Sequence, residues 1–182
     1  MYFPPSFPDV WNQELQISLL PQTSTTASPL TQPEADSLLQ TAVQEVRPSL
    51  SVEDQQKLAS VTIEVVDLPG ATLGRAVSDT IYIDHDAAGY GWFVDTDPLD
   101  HSEFQYDSQL SLIALPDSEA AGLIDLWTVI RHELGHLLGY EHAEEGVMEA
   151  VLDPGQRKLP DWSEETDDFF ASLEDDTELL SF

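Results

Sequence analysis

The fold is decided by one stretch, which holds three of the chain's five histidines and reads His132-Glu133-Leu134-Gly135-His136-Leu137-Leu138-Gly139-Tyr140-Glu141-His142. Residues four apart on an α-helix project from one face, so His132 and His136 can both reach one zinc ion at about 2.0–2.1 Å. Gly139 permits the backbone conformation that ends a helix, and the turn can then bring back His142. Three protein ligands leave a fourth position for water, which is typical of a catalytic zinc site.

The residue beside the first histidine, Glu133, supplies the other half of the chemistry. It lies next to the metal without being a ligand, so it can reach the water that the zinc activates. We expect zinc to lower the pKa of that water toward about 7 and to polarise the scissile carbonyl. Glu133 would take the proton and later deliver it to the leaving amine. The alternative is an amphipathic helix whose histidines only cap or pack, and the two glycines and the third histidine in register argue against it.

The pattern H-E-x-x-H-x-x-G-x-x-H resembles the signature of the metzincin metallopeptidases, and of matrixin-like members in particular. Met148 lies six residues beyond His142. In metzincins a Met-turn places a methionine there, under the metal site; an ordinary core methionine is the alternative. The resemblance implies a zinc endopeptidase with His132, His136 and His142 as metal ligands and Glu133 as the catalytic residue.

A narrower resemblance covers roughly residues 31–160. Several of its segments look like the matrixin-type domains that are embedded in large bacterial surface or secreted proteins, namely residues 68–70, 80–84, 87–95, 100–104, 125–136 and 146–148. It implies a protein that is secreted or at the cell surface and acts on a protein or peptide substrate. We expect a monomeric module that belongs to a larger polypeptide.

The sequence departs from the matrixin pattern at three points. The chain has no cysteine, so a cysteine switch cannot exist within it. The gap from His142 to Met148 is short, and Glu149-Ala150 follows where matrixins usually have a proline. No tyrosine follows Met148, so a tyrosine ligand of the astacin type is not expected. These departures concern the turn and the latency mechanism and leave the metal ligands intact.

Composition excludes some partners. The 182 residues fit one domain, and 35 acidic residues against six basic ones give a formal net charge of −29. Nucleic acid and anionic membranes need a basic surface, so neither is expected as a partner. No apolar run approaches the roughly 20 residues of a membrane span, so no membrane insertion is expected.

The apolar spacing predicts an α+β fold of the zincin type, with a small twisted mixed sheet, a backing helix and a long active-site helix. We expect helices over residues 31–46, 52–59 and about 120–138, strands over residues 61–66, 73–77 and 80–84, and a hairpin of residues 103–106 with 110–115. Residues 1–30 are predicted to be a linker or tail in which Leu15, Ile17 and Leu19 could add a strand. The metallopeptidase domain should span residues 31–174, with a helix after residue 161, and an acidic tail should cover residues 175–182.

Other residues of the loop before the active-site helix are weaker candidates. Calcium is a second candidate cofactor, because seven carboxylates crowd this loop, and the candidate ligands among them are Asp84, Asp86, Asp95, Asp97 and Asp100. A solvated acidic loop is the alternative. His85 and His101 could hold a second zinc, or could bind no metal. Trp92 and Phe93 could line a substrate subsite or pack in the core, and Arg131 could pair with an acid.

These observations lead to two hypotheses from different classes. The first is a zinc-dependent endopeptidase with Glu133 as general base. The second is a structural or adhesion module of a large surface protein that binds zinc and has little turnover.

Overall fold

The computed structural model describes residues 14–18 and 28–160 of the chain. Within these residues three helices, α1 to α3, cover Gln32–Val46, Val52–Leu58 and Leu126–Leu138. Nine strands, β1 to β9, cover Glu14–Gln16, Thr62–Val66, Thr72–Val77, Thr80–Asp84, Trp92–Phe93, Phe104–Tyr106, Ser111–Ala114, Ile124–Asp125 and Gln156–Lys158. The architecture is therefore mixed α+β, as the sequence predicted.

The two N-terminal helices begin at the predicted caps. The backbone N–H of Thr31 donates to Oε2 of Glu34 at 2.9 Å, which is half of a capping box. The Ser51 side chain accepts from the N–H of Asp54 at 3.1 Å and caps α2. The buried face of α1 consists of Ala35, Leu38, Leu39, Ala42 and Val46, all at helical spacing.

The main sheet has four strands in the order β1-β3-β4-β2, and it is mixed because β2 runs parallel to β4 whereas the other pairs are antiparallel. The helices α1 and α3 pack against this sheet and against each other, so α1 is the expected backing helix. The core between them contains Trp127, Ile130 and Leu134 from α3 and the apolar side chains of β3 and β4.

The first strand lies inside the stretch that was assigned to a linker. Leu15 is 1% exposed and Ile17 is 4% exposed, as expected for the alternation of apolar residues there. Residues 14–18 are thus packed into the domain rather than standing outside it. Residues 1–13 and 19–27 of the predicted linker, Leu19 among them, and the helix and acidic tail predicted after residue 161 lie outside the described residues.

The active-site helix begins later than predicted. The apolar spacing indicated a start near residue 120, but Gly122 has φ +75° and the chain turns there. Ile124 and Asp125 then form β8, which pairs in parallel with β5. The Asp125 side chain accepts from the N–H of Thr128 at 3.1 Å and caps α3. The helix ends as predicted at Gly139, which has φ +99°.

The predicted hairpin is confirmed as β6 and β7, with Phe104 opposite Ala114. It does not join the main sheet. Instead β9, which was not predicted, pairs with β7 to make a separate sheet of three strands. In the described part of the chain, no helix is long and apolar enough to cross a membrane.

Candidate metal centre

Three histidines meet at the C-terminal half of α3. The ring centroids of His132 and His136 are 4.5 Å apart, and the ring of His142 lies 5.2 Å from the first and 4.9 Å from the second. One nitrogen from each ring lies within 4.8 Å of the other two. The structure therefore brings together all three residues that the sequence predicted as metal ligands, and they could hold a metal ion.

Two backbone carbonyls orient the first two rings. Nδ1 of His132 lies 2.8 Å from the Val147 carbonyl oxygen, and Nδ1 of His136 lies 2.9 Å from the Tyr140 carbonyl oxygen. A carbonyl oxygen can only accept, so each Nδ1 carries the hydrogen. Each neutral ring then has a lone pair on Nε2, and the two Nε2 atoms face each other at 2.9 Å. Two acceptors cannot hydrogen-bond to one another, so this arrangement fits a cation between them.

The distances suit a small cation. Two nitrogen ligands of tetrahedral zinc at about 2.0–2.1 Å are separated by about 3.3 Å. The observed separation of 2.9 Å between the two Nε2 atoms needs only a small expansion to reach that value. Nε2 of His142 is buried and has no hydrogen-bond partner among the described residues. One nitrogen of the His142 ring lies within 4.8 Å of a nitrogen from each of the other two rings.

Burial keeps these histidines neutral. It lowers the pKa of His132 to about 3, and the nearby ring of His136 adds to this effect. Burial also lowers the pKa of His136 and of His142. All three rings are therefore uncharged near pH 7, which is the form of imidazole that binds metal ions.

A short turn beside α3 helps to hold the histidine cluster in place. Residues Gly146–Met148 form one turn of 3₁₀ helix, and the Val147 carbonyl that orients His132 belongs to it. Met148, the predicted Met-turn residue, is 7% exposed, and its carbonyl oxygen accepts from the N–H of Ala143 at 2.9 Å. Gly146 is required here because it has φ +78° and a Cβ would lie 2.9 Å from the Leu159 carbonyl oxygen.

Glu133 is completely buried beside the centre. Neither carboxyl oxygen has a hydrogen-bond partner among the described residues. Burial raises the pKa of Glu133 well above its ordinary value; the backbone amides of Leu15 and Ala76 lie close enough to offset part of this rise, without forming well-directed hydrogen bonds. An unpartnered buried carboxyl is costly, and such groups are enriched where a protein performs chemistry.

The carboxyl of Glu133 fits against β3 only because residue 74 is glycine. A Cβ at Gly74 would lie 2.9 Å from Oε1 of Glu133 and 2.8 Å from Cγ1 of Val129. This residue was missed in the sequence, although a glycine within a strand often marks a close approach of another group.

The five candidate calcium ligands do not converge. Asp84 accepts from the N–H groups of Leu68 and Ala88, both within 2.8 Å. Asp95 pairs with Arg157 at 2.9 Å. The remaining three are turn residues: Asp86 and Asp100 each accept an N–H from a residue two or three positions on, and Asp97 is exposed.

The two candidate ligands of a second zinc, His85 and His101, do not lie together. His85 lies with Asp67 and Asp84 in a second group that could hold a metal ion. His101 lies elsewhere, and its Nδ1 is 3.3 Å from Nη1 of Arg157. The positive charge of Arg157 disfavours the binding of a metal cation there.

The aromatic candidates pack in the core. Trp92 and Phe93 are both buried, and Nε1 of Trp92 donates to the Asp84 carbonyl oxygen at 2.8 Å. Arg131 pairs with an acid as expected, since its Nη2 lies 3.1 Å from Oε1 of Glu45.

A buried ion network at the other end of α3 was not predicted. Arg157 is 0% exposed, and its Nη2 lies 2.8 Å from Asp125 and 2.9 Å from Asp95. Its guanidinium carbon also lies 4.4 Å from the ring centroid of Phe104. Burial lowers the pKa of Arg157, but the hydrogen bonds to Asp125 and Asp95 raise it overall. The one signal in the sequence is an arginine among only six basic residues.

The described residues thus hold one buried cluster of three neutral histidines with a buried carboxyl beside it. Comparison of the chain with protein-family models, curated proteins and solved structures finds no match.

Proposed function

We propose that the protein is a zinc-dependent metalloendopeptidase of the metzincin, matrixin-like kind, with His132, His136 and His142 as ligands. The observation that carries the proposal is the convergence of three neutral histidine rings, two of which face each other with their Nε2 atoms 2.9 Å apart. Three imidazoles at one point match the ligand preference of zinc and leave a position for water. The mixed sheet, the glycine that ends α3 and the buried Met148 turn are compatible with this fold family.

The residues of the chain divide the chemistry between them. A zinc ion in this place supplies Lewis acidity toward a peptide carbonyl and toward water. Glu133 accepts a proton from the attacking water and passes it to the leaving amine. A carboxyl whose pKa burial has raised is better suited to hold that proton than an exposed one. The Val147 and Tyr140 carbonyls hold the two helical rings in the Nδ1–H form that presents Nε2.

The surroundings of the enzyme are part of the proposal. The substrate would be a protein or peptide, and the site of action would be outside the cell or at its surface. A formal net charge of −29 supports a soluble module that repels nucleic acid and anionic membranes.

A zinc-binding structural or adhesion module remains the second candidate. The complete burial of Glu133 favours it, because a general base that nothing can reach does no chemistry. The two candidates agree on the metal and differ only on turnover.

The test is paired measurement of zinc content and peptide cleavage on the parent, Glu133→Ala and His136→Ala. A peptidase predicts about one zinc per chain, cleavage that a chelator abolishes, and turnover that falls by at least about 10²–10⁴-fold in Glu133→Ala with zinc retained. His136→Ala should lose zinc as well. His101→Ala is the matched control, because this histidine lies beside the Arg157 cation and outside both groups that could hold a metal ion, and it should keep both properties.

Two outcomes would overturn the mechanism. Equal cleavage by the parent and Glu133→Ala would exclude Glu133 as the base. Less than a tenth of an equivalent of zinc, not restored by added zinc, would exclude the metal centre itself.

A further inference from the structure

The outer edge of β3 lies opposite a second stretch of extended backbone, residues 150–152. We call the space between them the peptide groove. Residues 14–18 fill it: β1 pairs antiparallel with β3 on one side, and Gln16 pairs in parallel with Val151 on the other. The groove is therefore a slot for one extended strand that meets backbone on both sides.

Main-chain hydrogen bonds hold the segment on both sides. The N–H of Gln16 donates to the Ala150 carbonyl oxygen at 3.1 Å, and the Gln16 carbonyl oxygen accepts from the N–H of Leu152 at 2.9 Å. The N–H of Ile17 donates to the Ala71 carbonyl oxygen at 3.0 Å. Such bonds do not depend on side-chain identity, and adding a strand to an exposed edge is a common way to bind peptides.

Side chains add two kinds of contact. Leu15 and Ile17 are buried at 1% and 4% exposure, on the same side of the strand. Glu14 lies 3.4 Å from Nη1 of Arg75 on β3, and Ser18 donates to Asp153. The groove thus takes apolar side chains two residues apart.

The segment also covers the proposed general base. Glu133 is 0% exposed, with Gly74 of β3 on one side of its carboxyl and the Leu15 amide nearby. The opposite edge of β3 is already taken by β4. A substrate strand that pairs with β3 beside Glu133 must therefore take the place of β1.

We propose that residues 14–18 are a removable intramolecular occupant of the peptide groove, and that their release admits an extended peptide with apolar side chains two residues apart. This inference rests on the proposed function, whose substrate class and regulation it names. The occupant belongs to the same chain, so it competes at the effective concentration of a tethered ligand, which is about millimolar. A free peptide at micromolar concentration should find the groove closed in most molecules.

The experiment uses the full zinc-loaded chain and a release variant, Leu15→Asp/Ile17→Asp, whose two charges cannot be buried in the groove. The matched control is Val52→Asp/Leu99→Asp, because those side chains are 72% and 59% exposed and make the same chemical change elsewhere. The binding probe is a fluorescein-labelled peptide with the sequence of residues 12–20, tested by anisotropy in a Glu133→Ala background so that it is not consumed. Cleavage of an unrelated apolar peptide is measured in parallel.

We expect the release variant to bind the probe at least about 10-fold more tightly than the parent, and to cleave the test peptide at least about 10-fold faster. The control variant should match the parent in both assays. A probe with aspartate in place of its two buried residues should not bind.

The other outcomes separate this inference from the proposed function. Tighter probe binding without any cleavage would uphold the occupant and refute the peptidase. Equal cleavage by the parent and the release variant would refute the occupant and uphold the peptidase. If the release variant does not fold, Gln16→Pro takes its place, since proline removes the N–H that donates to Ala150, fixes φ and leaves Leu15 and Ile17 unchanged. A Gln16→Pro chain that binds the probe no better than the parent would overturn the proposal.

Discussion

The two ends of α3 hold buried polar clusters of opposite character. At the N-terminal end, Arg157 forms hydrogen bonds with Asp125 and Asp95 between 2.8 and 2.9 Å. At the C-terminal half, His132 and His136 face each other with like acceptors, and Glu133 has no hydrogen-bond partner among the described residues. Arg157 at one end and His132 and Glu133 at the other are all 0% exposed, so burial alone does not distinguish a structural cluster from a site.

The difference lies in whether the polar atoms are satisfied by the protein. A complete network fixes the start of the helix, because each buried charged group has a hydrogen-bond partner. An incomplete one lowers the stability of the ligand-free chain, since a buried polar group without a partner keeps its desolvation penalty. The first end is therefore complete without a ligand, whereas the second leaves polar atoms that a cation and a substrate would satisfy under the proposed function.

The largest expected effect on stability is at Arg157, in the network at the N-terminal end of α3. Arg157→Ala leaves Asp95 and Asp125 buried without their counter-ion, so we expect the unfolding free energy to fall by about 3–5 kcal/mol. Urea unfolding with a chelator present measures it. Lys57→Ala removes an exposed ion pair with Asp54 and is the control, which should unfold nearly as the parent does. A change in Arg157→Ala as small as in the control would contradict a structural role.

The second prediction sets one residue from each end against the other. His142→Ala removes a ring whose buried Nε2 has no hydrogen-bond partner among the described residues, so the metal-free chain should keep its stability. Its zinc affinity should fall by more than the about 10–100-fold that loss of an outer-shell partner costs. Thr128→Val should lower the stability of the metal-free chain, because Thr128 Oγ1 donates to Asp125 and accepts from the N–H of Lys158. Its zinc affinity should not change. Competition with a zinc indicator and chemical unfolding give both numbers.

The third prediction is a dependence on pH. The folded chain holds the pKa of His132 near 3, below its ordinary 6.5, so the unfolded chain takes up a proton that the folded chain refuses. Stability should therefore fall as the pH drops from 6.5, by about 2 kcal/mol at pH 5 for one such group. Burial of Glu133 has the opposite effect on the pH dependence of stability. Because burial raises its pKa, stability should fall as the pH rises above 4.5, the ordinary pKa of a glutamate.

The measurement separates the two signs by comparing metal-free Glu133→Gln with Glu133→Gln/His132→Asn. Only Glu133→Gln should show the extra loss of stability on acidification. The contributions of the other carboxylates are the same in both variants and cancel in the difference. Parallel curves for the two variants would show that His132 titrates normally.

The smallest expected effect is at Gly74. Gly74→Ala should destabilise the chain, because its Cβ would lie 2.8 Å from Val129 and 2.9 Å from Glu133. In a Glu133→Ala background part of the clash disappears, so a double-mutant cycle should give about 1 kcal/mol of coupling. Strict additivity would mean that Glu133 does not rest against β3.

The sequence predicted the histidine cluster because its geometry is local. Helical spacing and a helix-ending glycine place three side chains within a few residues of one another. The start of α3 was predicted too early because Leu123 continues the apolar spacing, whereas the cap at Asp125 and the turn at Gly122 override it. The Arg157 network was not predicted, because its partners lie 32 and 62 residues away and no local pattern encodes such a pair.

The same limit applies to β1. Alternation predicted a strand near Leu15, but not the two backbone edges between which it lies. Those edges are far apart in the sequence, so only the folded chain brings them together.

The order in which the chain is synthesised bears on how the peptide groove forms. Its occupant, residues 14–18, precedes β3 by more than 50 positions and precedes residues 150–152 by more than 130. Of these segments, residues 14–18 leave the ribosome first, then β3, then His132 and His136 on α3, and residues 150–152 last. The groove therefore cannot form before its proposed occupant has been made, so a newly made chain finishes folding with residues 14–18 available to fill it.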